Sequence, residues 1–264
     1  MSRKSINFKQ WLLTTPGVLP ALTFAALIGS WEAACRLLAI PPFVLPAPST
    51  IIDGFGGINA SRWFEHIWST LRVAFMGYFM SIVIAIPIAI MLARSAVLSR
   101  AIYPILVVVQ STPVVAVAPI IVVALGVGDL PRVVITCLIT FFPIVVSTTT
   151  GLMATPPELI ELSRSLRAPV LREITQIRLP FAIPYIFSAL KISITLAVIG
   201  AVVAEFVAAD KGLGYFIQFS TSMFQIKEAW AGLFILVLMS LILFQIVSLI
   251  QRVFFPWSLP KETH

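Results

Sequence analysis

The residues of this sequence that could do chemistry concentrate in one polar segment, Thr155 to Pro180 (TPPELIELSRSLRAPVLREITQIRLP), 26 residues long and set between long apolar runs. Its glutamates and arginines can contact a protein partner or lie among lipid headgroups. The sequence holds no G-x-x-x-x-G-K-[ST] phosphate loop, no H-E-x-x-H and no G-x-S-x-G motif. The chemistry available to the segment is therefore recognition rather than catalysis.

The polar segment begins with the signals of a helix start. Thr155 can cap free N–H groups, Pro157 fits a first turn, and Glu158 completes a capping box with Thr155. An apolar stripe follows at i, i+3 and i+7, formed by Leu159, Leu162 and Leu166. Glu161 and Arg164 fall outside the stripe, so we predict a short amphipathic helix.

The second half of the segment contains prolines that should interrupt the helix. Pro169 disfavours helical geometry at Ala168 and can open a second short helix that runs toward Gln176. We expect Leu179-Pro180 and Pro184 to mark a turn back into the membrane.

Polar residues also occur inside one apolar run, at Gln110, Ser111 and Thr112, just before Pro113. A proline leaves backbone carbonyls unpaired, and polar groups at mid-membrane depth are tolerated where they face a cavity or another helix. These side chains are candidates for a translocation path, and packing between helices is the alternative.

One acidic residue, Glu205, lies near the end of another apolar run and precedes the stretch Asp210 to Gly214. An acidic side chain there is a candidate for the translocation path, and an ion pair with Lys211 is the alternative. Gly200, Ala204 and Ala208 recur at four-residue steps beside it, so a second helix should approach closely, within the chain or across a dimer.

The elements that must position these residues are membrane-spanning helices. The chain has 264 residues, of which 59% are hydrophobic and 11% charged, outside the range of soluble domains. Apolar runs long enough to span a bilayer lie at about residues 17–39, 69–93, 101–125, 133–153, 183–209 and 231–251. We predict an all-α polytopic membrane protein with six transmembrane helices.

The basic residues predict the orientation of these helices. The net charge is +7, but the basic residues do not cluster with aromatic residues in a soluble segment, which argues against nucleic-acid binding. With a cytoplasmic N-terminus, most arginines and lysines lie inside, and Arg132 and Lys211 lie in external loops. We expect a cytoplasmic segment 1–16, a transmembrane domain 17–251 that includes a cytoplasmic loop 155–180, and a cytoplasmic tail 252–264.

The spacing within the polar segment resembles a known loop. Glu161, then Arg167 six residues on, then Ile177-Arg178-Leu179-Pro180 match the pattern E-A-A-x3-G-x9-I-x-L-P of bacterial ABC importer permeases. Leu162 and Ser163 replace the two alanines, and Arg167 replaces the glycine. A glycine at a helix end commonly supplies a left-handed residue, so either this turn is right-handed or Arg167 carries the strain.

Two further stretches, LPAPS at 45–49 and EFVAADKGLGYF at 205–216, resemble the nitrate, sulfonate and taurine branch of these permeases. Within the branch, the chain looks closer to importers of pyrimidine vitamin precursors or riboflavin. The resemblance implies a type I importer permease fold in the bacterial inner membrane. It also implies a helix that couples the chain to an ATPase subunit, an external solute-binding protein and a second permease copy.

The resemblance places no catalytic residue, cofactor or metal in this chain, and it assigns ATP and Mg²⁺ to the partner ATPase. The residues that it implies for ATPase coupling are Glu158, Glu161, Leu162, Ser163, Arg164, Leu166, Arg167, Ile177, Leu179 and Pro180. Sulfonate, taurine or nitrate import is the alternative substrate class. An ATP-independent transporter or channel is the alternative machine, although intramembrane charges for ion coupling are missing apart from Glu205.

Overall fold

The computed structural model describes residues 17–259, and all of their regular secondary structure is helical. The expected cytoplasmic segment 1–16 and the end of the tail from residue 260 lie outside the described residues. The α-helices are α1 (Val18–Leu37), α2 (Pro48–Gly56), α3 (Ala60–Arg94), α4 (Ala96–Ser111), α5 (Val114–Leu125), α6 (Asp129–Met153), α7 (Pro157–Ser165), α8 (Val170–Arg172), α9 (Leu179–Ala208), α10 (Leu213–Ser222) and α11 (Ile226–Phe254). The prediction of an all-α membrane protein is confirmed.

Five helical segments are long and apolar enough to cross a membrane: α1, α3, α6, the segment Val170–Ala208 and α11. The run at 101–125, which the sequence predicts as one span, forms two helices, α4 and α5, bent by 93°. Thr112 is extended at the bend (φ −77°, ψ 123°) because Pro113 follows it and disfavours helical geometry. The sixth predicted span therefore exists only as a bent pair of helices, a geometry shared by broken spans and re-entrant loops.

Helix α6 is the centre of the larger of two compact units, formed by residues 60–218 and 232–259 of the described chain. It packs against α3 and α9. Thr136 of α6 sits between two glycines: a Cβ on Gly77 would lie 2.5 Å from the Thr136 side chain, and one on Gly200 would lie 2.9 Å from its Cα. The helix that approaches the small residues of α9 at Gly200 thus belongs to the same chain.

The predicted turn at Leu179-Pro180 is wrong. The chain from Val170 to Ala208 is one helical segment in which α8, a π-helical stretch Glu173–Arg178 and α9 follow without a break. A π-helical turn accommodates an extra residue within a helix, and Pro180 falls in the first turn of α9, where a missing N–H is tolerated.

The smaller unit contains residues 17–59 and 219–231. Here Glu32 and Arg36, four residues apart on α1, form an ion pair with Arg36 Nε 2.5 Å from Glu32 Oε1. Glu32 also accepts hydrogen bonds from the backbone N–H (3.0 Å) and the hydroxyl (2.7 Å) of Ser49, in the first turn of α2. The carboxyl group therefore caps α2 and fixes the LPAPS stretch to α1.

Candidate functional site

The short helix α7 forms as the sequence predicts, but its start is built differently. Thr155 does not cap it: the Thr155 hydroxyl donates to the Leu152 carbonyl at the end of α6 (3.3 Å). The N-cap residue is Pro156, and no side chain caps α7. Pro156 and Pro157 have no N–H, so this terminus has fewer donors to satisfy than an ordinary helix.

The backbone at the end of α7 shows which conformation Arg167 adopts. This residue is left-handed (φ 52°), its N–H donates to the Arg164 carbonyl (2.9 Å), and the Ala168 N–H donates to the Ser163 carbonyl (3.0 Å). These two bonds form a Schellman motif, which ordinarily uses glycine at the left-handed position. Arg167 therefore carries a strain of about 1 kcal/mol that glycine would not.

The leucine stripe of α7 is not buried within the described chain. Leu159, Leu162 and Leu166 are 37%, 56% and 73% exposed. Together with Ile177 and Arg167 they line an open cavity of about 300 Å³ between α7 and the π-helical stretch. An apolar face beside arginines is suited to a protein partner, because monomeric soluble proteins rarely expose a contiguous apolar patch of this kind to water.

The two positions where the resemblance expects alanine point in opposite directions. Leu162 is exposed, whereas Ser163 is 4% exposed and packs inward. The Ser163 hydroxyl has no hydrogen-bond partner within residues 17–259. Both residues border the cavity beside α7, and the large side chain at 162 enlarges the exposed face.

A charged pair joins the ends of the π-helical stretch that carries the cavity wall. Arg178 Nε and Nη2 lie 2.8 Å and 2.7 Å from Glu173 Oε1, and both side chains are largely buried. Ile177 and Leu179 on either side of Arg178 are half-buried, and Pro180 is exposed. The stretch is thereby held to α9 by side chains as well as by the backbone.

The remaining coupling candidates, Glu158, Glu161 and Arg164, are exposed on α7. Glu158 lies in the first turn, where an acidic side chain is favourable, and Arg164 lies in the last, where a basic one is. The structure thus places the coupling candidates on α7 and the turn after it, on the π-helical stretch and in the first turn of α9.

Glu205 lies near the opposite end of α9, 1% exposed. Its carboxyl oxygens accept hydrogen bonds from the Thr70 hydroxyl (2.8 Å) and the Gly214 N–H (2.7 Å). Thr70 in turn accepts from the Leu213 N–H (2.8 Å). Glu205 therefore caps α10. These hydrogen bonds engage its carboxyl group, rather than the ion pair with Lys211 that was the alternative.

Two residues beside Glu205 were not singled out by the sequence. Thr70 of α3 bridges Glu205 and α10, and no local pattern marks it. Gly212 has φ 123°, and a Cβ there would overlap the Glu205 carboxyl group. The glycine pair in GLG was the available signal of a close backbone approach.

Gln110, Ser111 and Thr112 are exposed at the bend between α4 and α5. The Ser111 and Thr112 hydroxyls donate to the Val107 (2.8 Å) and Val108 (3.1 Å) carbonyls of their own helix. A translocation role for these residues, or for the capped Glu205, stays a prediction.

The fold is that of a membrane transport subunit, and comparison with known proteins identifies the family. The family described as "Binding-protein-dependent transport system inner membrane component" matches residues 81–258. The chain belongs to this family. It is a permease subunit of an ABC importer rather than an enzyme, and a separate subunit hydrolyses ATP.

Named relatives cover most of the chain. It is 34% identical over 90% of its length to the formylaminopyrimidine transport permease protein ThiX of Halalkalibacterium halodurans, covering 95% of that protein. It is 32% identical over 97% of its length to the riboflavin transport system permease protein RibX of Chloroflexus aurantiacus, covering 94%. A putative aliphatic sulfonates permease, SsuC of Bacillus subtilis, is 26% identical over 88% of this chain and 85% of its own.

A solved structure supports the fold. A chain of the inward-facing MetNI methionine ABC transporter superimposes with a TM-score of 0.63 and 24% identity, covering 70% of this chain and 92% of that one. The type I importer permease fold that the polar segment implied is confirmed.

Proposed function

We propose that this permease imports a pyrimidine vitamin precursor or riboflavin that an external binding protein delivers, and that α7 couples it to the ATPase. The observation that carries the coupling role is the exposed leucine face of α7 beside Arg167 and the π-helical stretch. A face of this kind is stabilised by burial against a partner, at about 25 cal/mol per Å² of apolar area.

The short connections on either side of α7 support a role in transmitting movement. Three residues, Ala154 to Pro156, separate it from α6, and four, Leu166 to Pro169, separate it from α8. Because these connections are short and the Schellman motif fixes one of them, displacement of α7 moves the ends of α6 and α9. ATP-driven closure of the ATPase subunits would then bias the two-state equilibrium of the membrane helices.

The substrate class rests on the relatives. Two relatives that exceed 30% identity with most of both chains aligned, ThiX and RibX, are named for nitrogen heteroaromatic solutes. Aliphatic sulfonate import is the second candidate, and the sulfonates permease at 26% identity supports it less. Taurine and nitrate belong with that alternative.

The assembly that we propose contains two copies of this permease in the bacterial inner membrane. Its termini and α7 face the cytoplasm and the Glu205 end faces outward. The positive-inside distribution supports this orientation: Arg164, Arg167, Arg172 and Arg178 lie on or beside α7. The described helices α1, α3, α6 and α11 and the segment Val170–Ala208 supply the lipid-crossing segments.

Reconstitution with the ATPase and the binding protein encoded beside this chain tests the proposal. ATP hydrolysis is measured against a panel of pyrimidines, flavins, sulfonates, taurine and nitrate. Stimulation by a heteroaromatic ligand is the expected result, and stimulation by a sulfonate or nitrate would overturn the substrate class while leaving the mechanism.

A variant of Glu161 tests the coupling. Glu161→Gln should uncouple ATP hydrolysis from uptake or prevent assembly with the ATPase, because the exposed carboxylate lies on the proposed docking helix. Glu65→Gln, an exposed glutamate of α3, is the matched control and should behave as wild type. Undiminished uptake without ATP would instead favour a secondary transporter.

A further inference from the structure

The π-helical stretch Glu173–Arg178 joins the cavity beside α7 to the packed part of α9. Arg172, just before the stretch, and Ile177 within it line that cavity. At the other end, Leu179 packs against the core cluster that contains the buried Leu152. The conformation of the stretch therefore sets how the cavity wall is oriented relative to the packed part of α9.

The backbone of the stretch holds one residue more per turn than an α-helix does. The Leu179 N–H donates to the Ile174 carbonyl, five residues earlier, whereas an α-helix would use the residue four earlier. One residue of an α-helix corresponds to about 100° of rotation. Relaxation of the stretch to an α-helix would therefore turn Arg172 by about 100° relative to Leu179 and remove it from the cavity wall.

The spacing of the ion pair between Glu173 and Arg178 fits the π-helical geometry and not the α-helical one. Side chains five residues apart on an α-helix point about 140° apart around the axis, whereas those three or four apart are neighbours. Here Arg178 Nε and Nη2 lie 2.8 Å and 2.7 Å from Glu173 Oε1, and the two side chains are 8% and 14% exposed. Loss of the pair would leave largely buried charges uncompensated, so the pair favours the π-helical turn.

A proline acts in the same direction at one end of the stretch. Pro180 has no N–H to donate to the Gln176 carbonyl four residues earlier, so an α-helix would lack one hydrogen bond there. The ion pair differs from the proline because it joins both ends of the stretch.

We propose that the ion pair between Glu173 and Arg178 holds this stretch π-helical and thereby positions the cavity wall that the ATPase covers. On this side the wall is formed by Arg172, Gln176 and Ile177. Glu173 and Arg178 are thus positioning residues for the coupling, and their assignment rests on the proposed coupling role of α7.

Removal of both charges tests the proposal in full-length permease in nanodiscs, titrated with the purified ATPase subunit. Glu173→Leu combined with Arg178→Met leaves no buried charge unpaired, and such replacements of a buried pair are often neutral for stability. Leucine and methionine also favour an α-helix. We expect a permease that remains folded, as thermal unfolding shows, and that binds the ATPase about tenfold more weakly because the cavity wall has turned.

Deletion of Thr175 from the same double variant should restore most of the lost affinity. The turn is then one residue shorter, so an α-helix places Arg172 and Leu179 as the π-helical stretch places them in the native chain. Thr175 is exposed, and its hydroxyl donates to the Leu171 carbonyl (2.8 Å) of its own helix. Deletion of a residue could not replace an ion pair that contributed to stability alone.

Two deletions in the otherwise wild-type chain are the controls. Deletion of Thr175 alone brings Glu173 and Arg178 to a spacing of four, which fits an α-helix, so ATPase binding should be retained. Deletion of Ile192, an exposed residue in the α-helical part of α9, turns the rest of that helix by about 100° and should prevent assembly. The deletion of Thr175 alone also tests the proposal if the variant without charges does not fold.

Wild-type affinity in the variant without charges would overturn the proposal, because Pro180 and packing would then suffice to hold the stretch. A loss of affinity that deletion of Thr175 does not restore would overturn it too, and so would a loss caused by that deletion alone. Either result would mean that the register of this turn does not position the surface. Failure of the proposed coupling role is distinguishable, because Leu162→Ala would then also bind the ATPase as tightly as wild type.

Discussion

The short helices at the two ends of the larger unit differ in capping and in the exposure of their apolar side chains. At one end, the buried Glu205 caps α10, and both groups that donate hydrogen bonds to its carboxyl oxygens belong to the same chain. At the other end, α7 has no side-chain cap and exposes its leucines. The first arrangement is complete without a partner, whereas the second leaves an apolar face that another surface can cover.

The same difference appears in the backbone. The close approach at α10 uses glycine at Gly212, where a Cβ would overlap Glu205. The left-handed position that ends α7 is occupied by Arg167, with its charged side chain exposed. We infer that packing dictates the residue at the capped end, and that the coupling end tolerates strain in exchange for a basic group.

Removal of the cap should have the largest effect. Glu205→Ala leaves the Gly214 N–H without its acceptor, at a cost of about 1–3 kcal/mol. It also removes the shorter of the two hydrogen bonds that the Thr70 hydroxyl makes and leaves the one to the His66 carbonyl (3.2 Å). We expect a fall in the thermal unfolding temperature of the purified permease of several degrees. Glu65→Ala, an exposed glutamate on α3, should change it little. A Glu205→Ala protein as stable as wild type would contradict the capping role.

Truncation of the exposed face should affect assembly and leave the fold intact. Leu162→Ala removes apolar surface that the ATPase would bury, so we expect about tenfold weaker binding of the ATPase, or about 1.4 kcal/mol. The unfolding temperature should not change. Leu37→Ala, at the exposed end of α1, is the control and should bind normally. Equal loss in both variants would show that the α7 face is not special.

The inward position 163 sharpens the contrast within α7 itself. Ser163→Leu should destabilise the permease by about 1–3 kcal/mol because Ser163 is 4% exposed and the larger side chain must displace its neighbours, whereas a large residue is native at 162. Ser163→Ala removes a buried hydroxyl that has no partner in residues 17–259 and should be neutral or slightly stabilising. Thermal unfolding of the two variants side by side gives the comparison, and tolerance of leucine would argue against the inward packing.

Relief of strain at Arg167 should have the smallest effect on stability. Arg167→Gly removes a left-handed non-glycine residue, worth about 1 kcal/mol in favour of the folded state. We expect a small rise in unfolding temperature, measured beside ATPase binding. If assembly is lost while stability rises, the guanidinium group makes a necessary contact with the ATPase.

The sequence by itself determined the class of protein, the apolar segments long enough to span a membrane and the helix at α7, because apolar length and the 3.6-residue repeat are local properties. It also fixed the leucine spacing on that helix. The prediction of one straight span at 101–125 is wrong because Pro113 bends it, and two further predictions also fail. Thr155 bonds to α6 instead of capping α7, and a π-helical stretch carries Pro180 through a continuous helix.

Only the tertiary structure decided what Glu205 and Arg132 do. The Glu205 acceptor role depends on Thr70, 135 residues earlier in the chain, and no periodicity links two such positions. The structure likewise showed that Arg132 is buried, with Nε and Nη2 bonded to the Gly128 carbonyl and to Asp129. Local spacing specifies helices, and long-range packing decides which polar groups are satisfied within the chain.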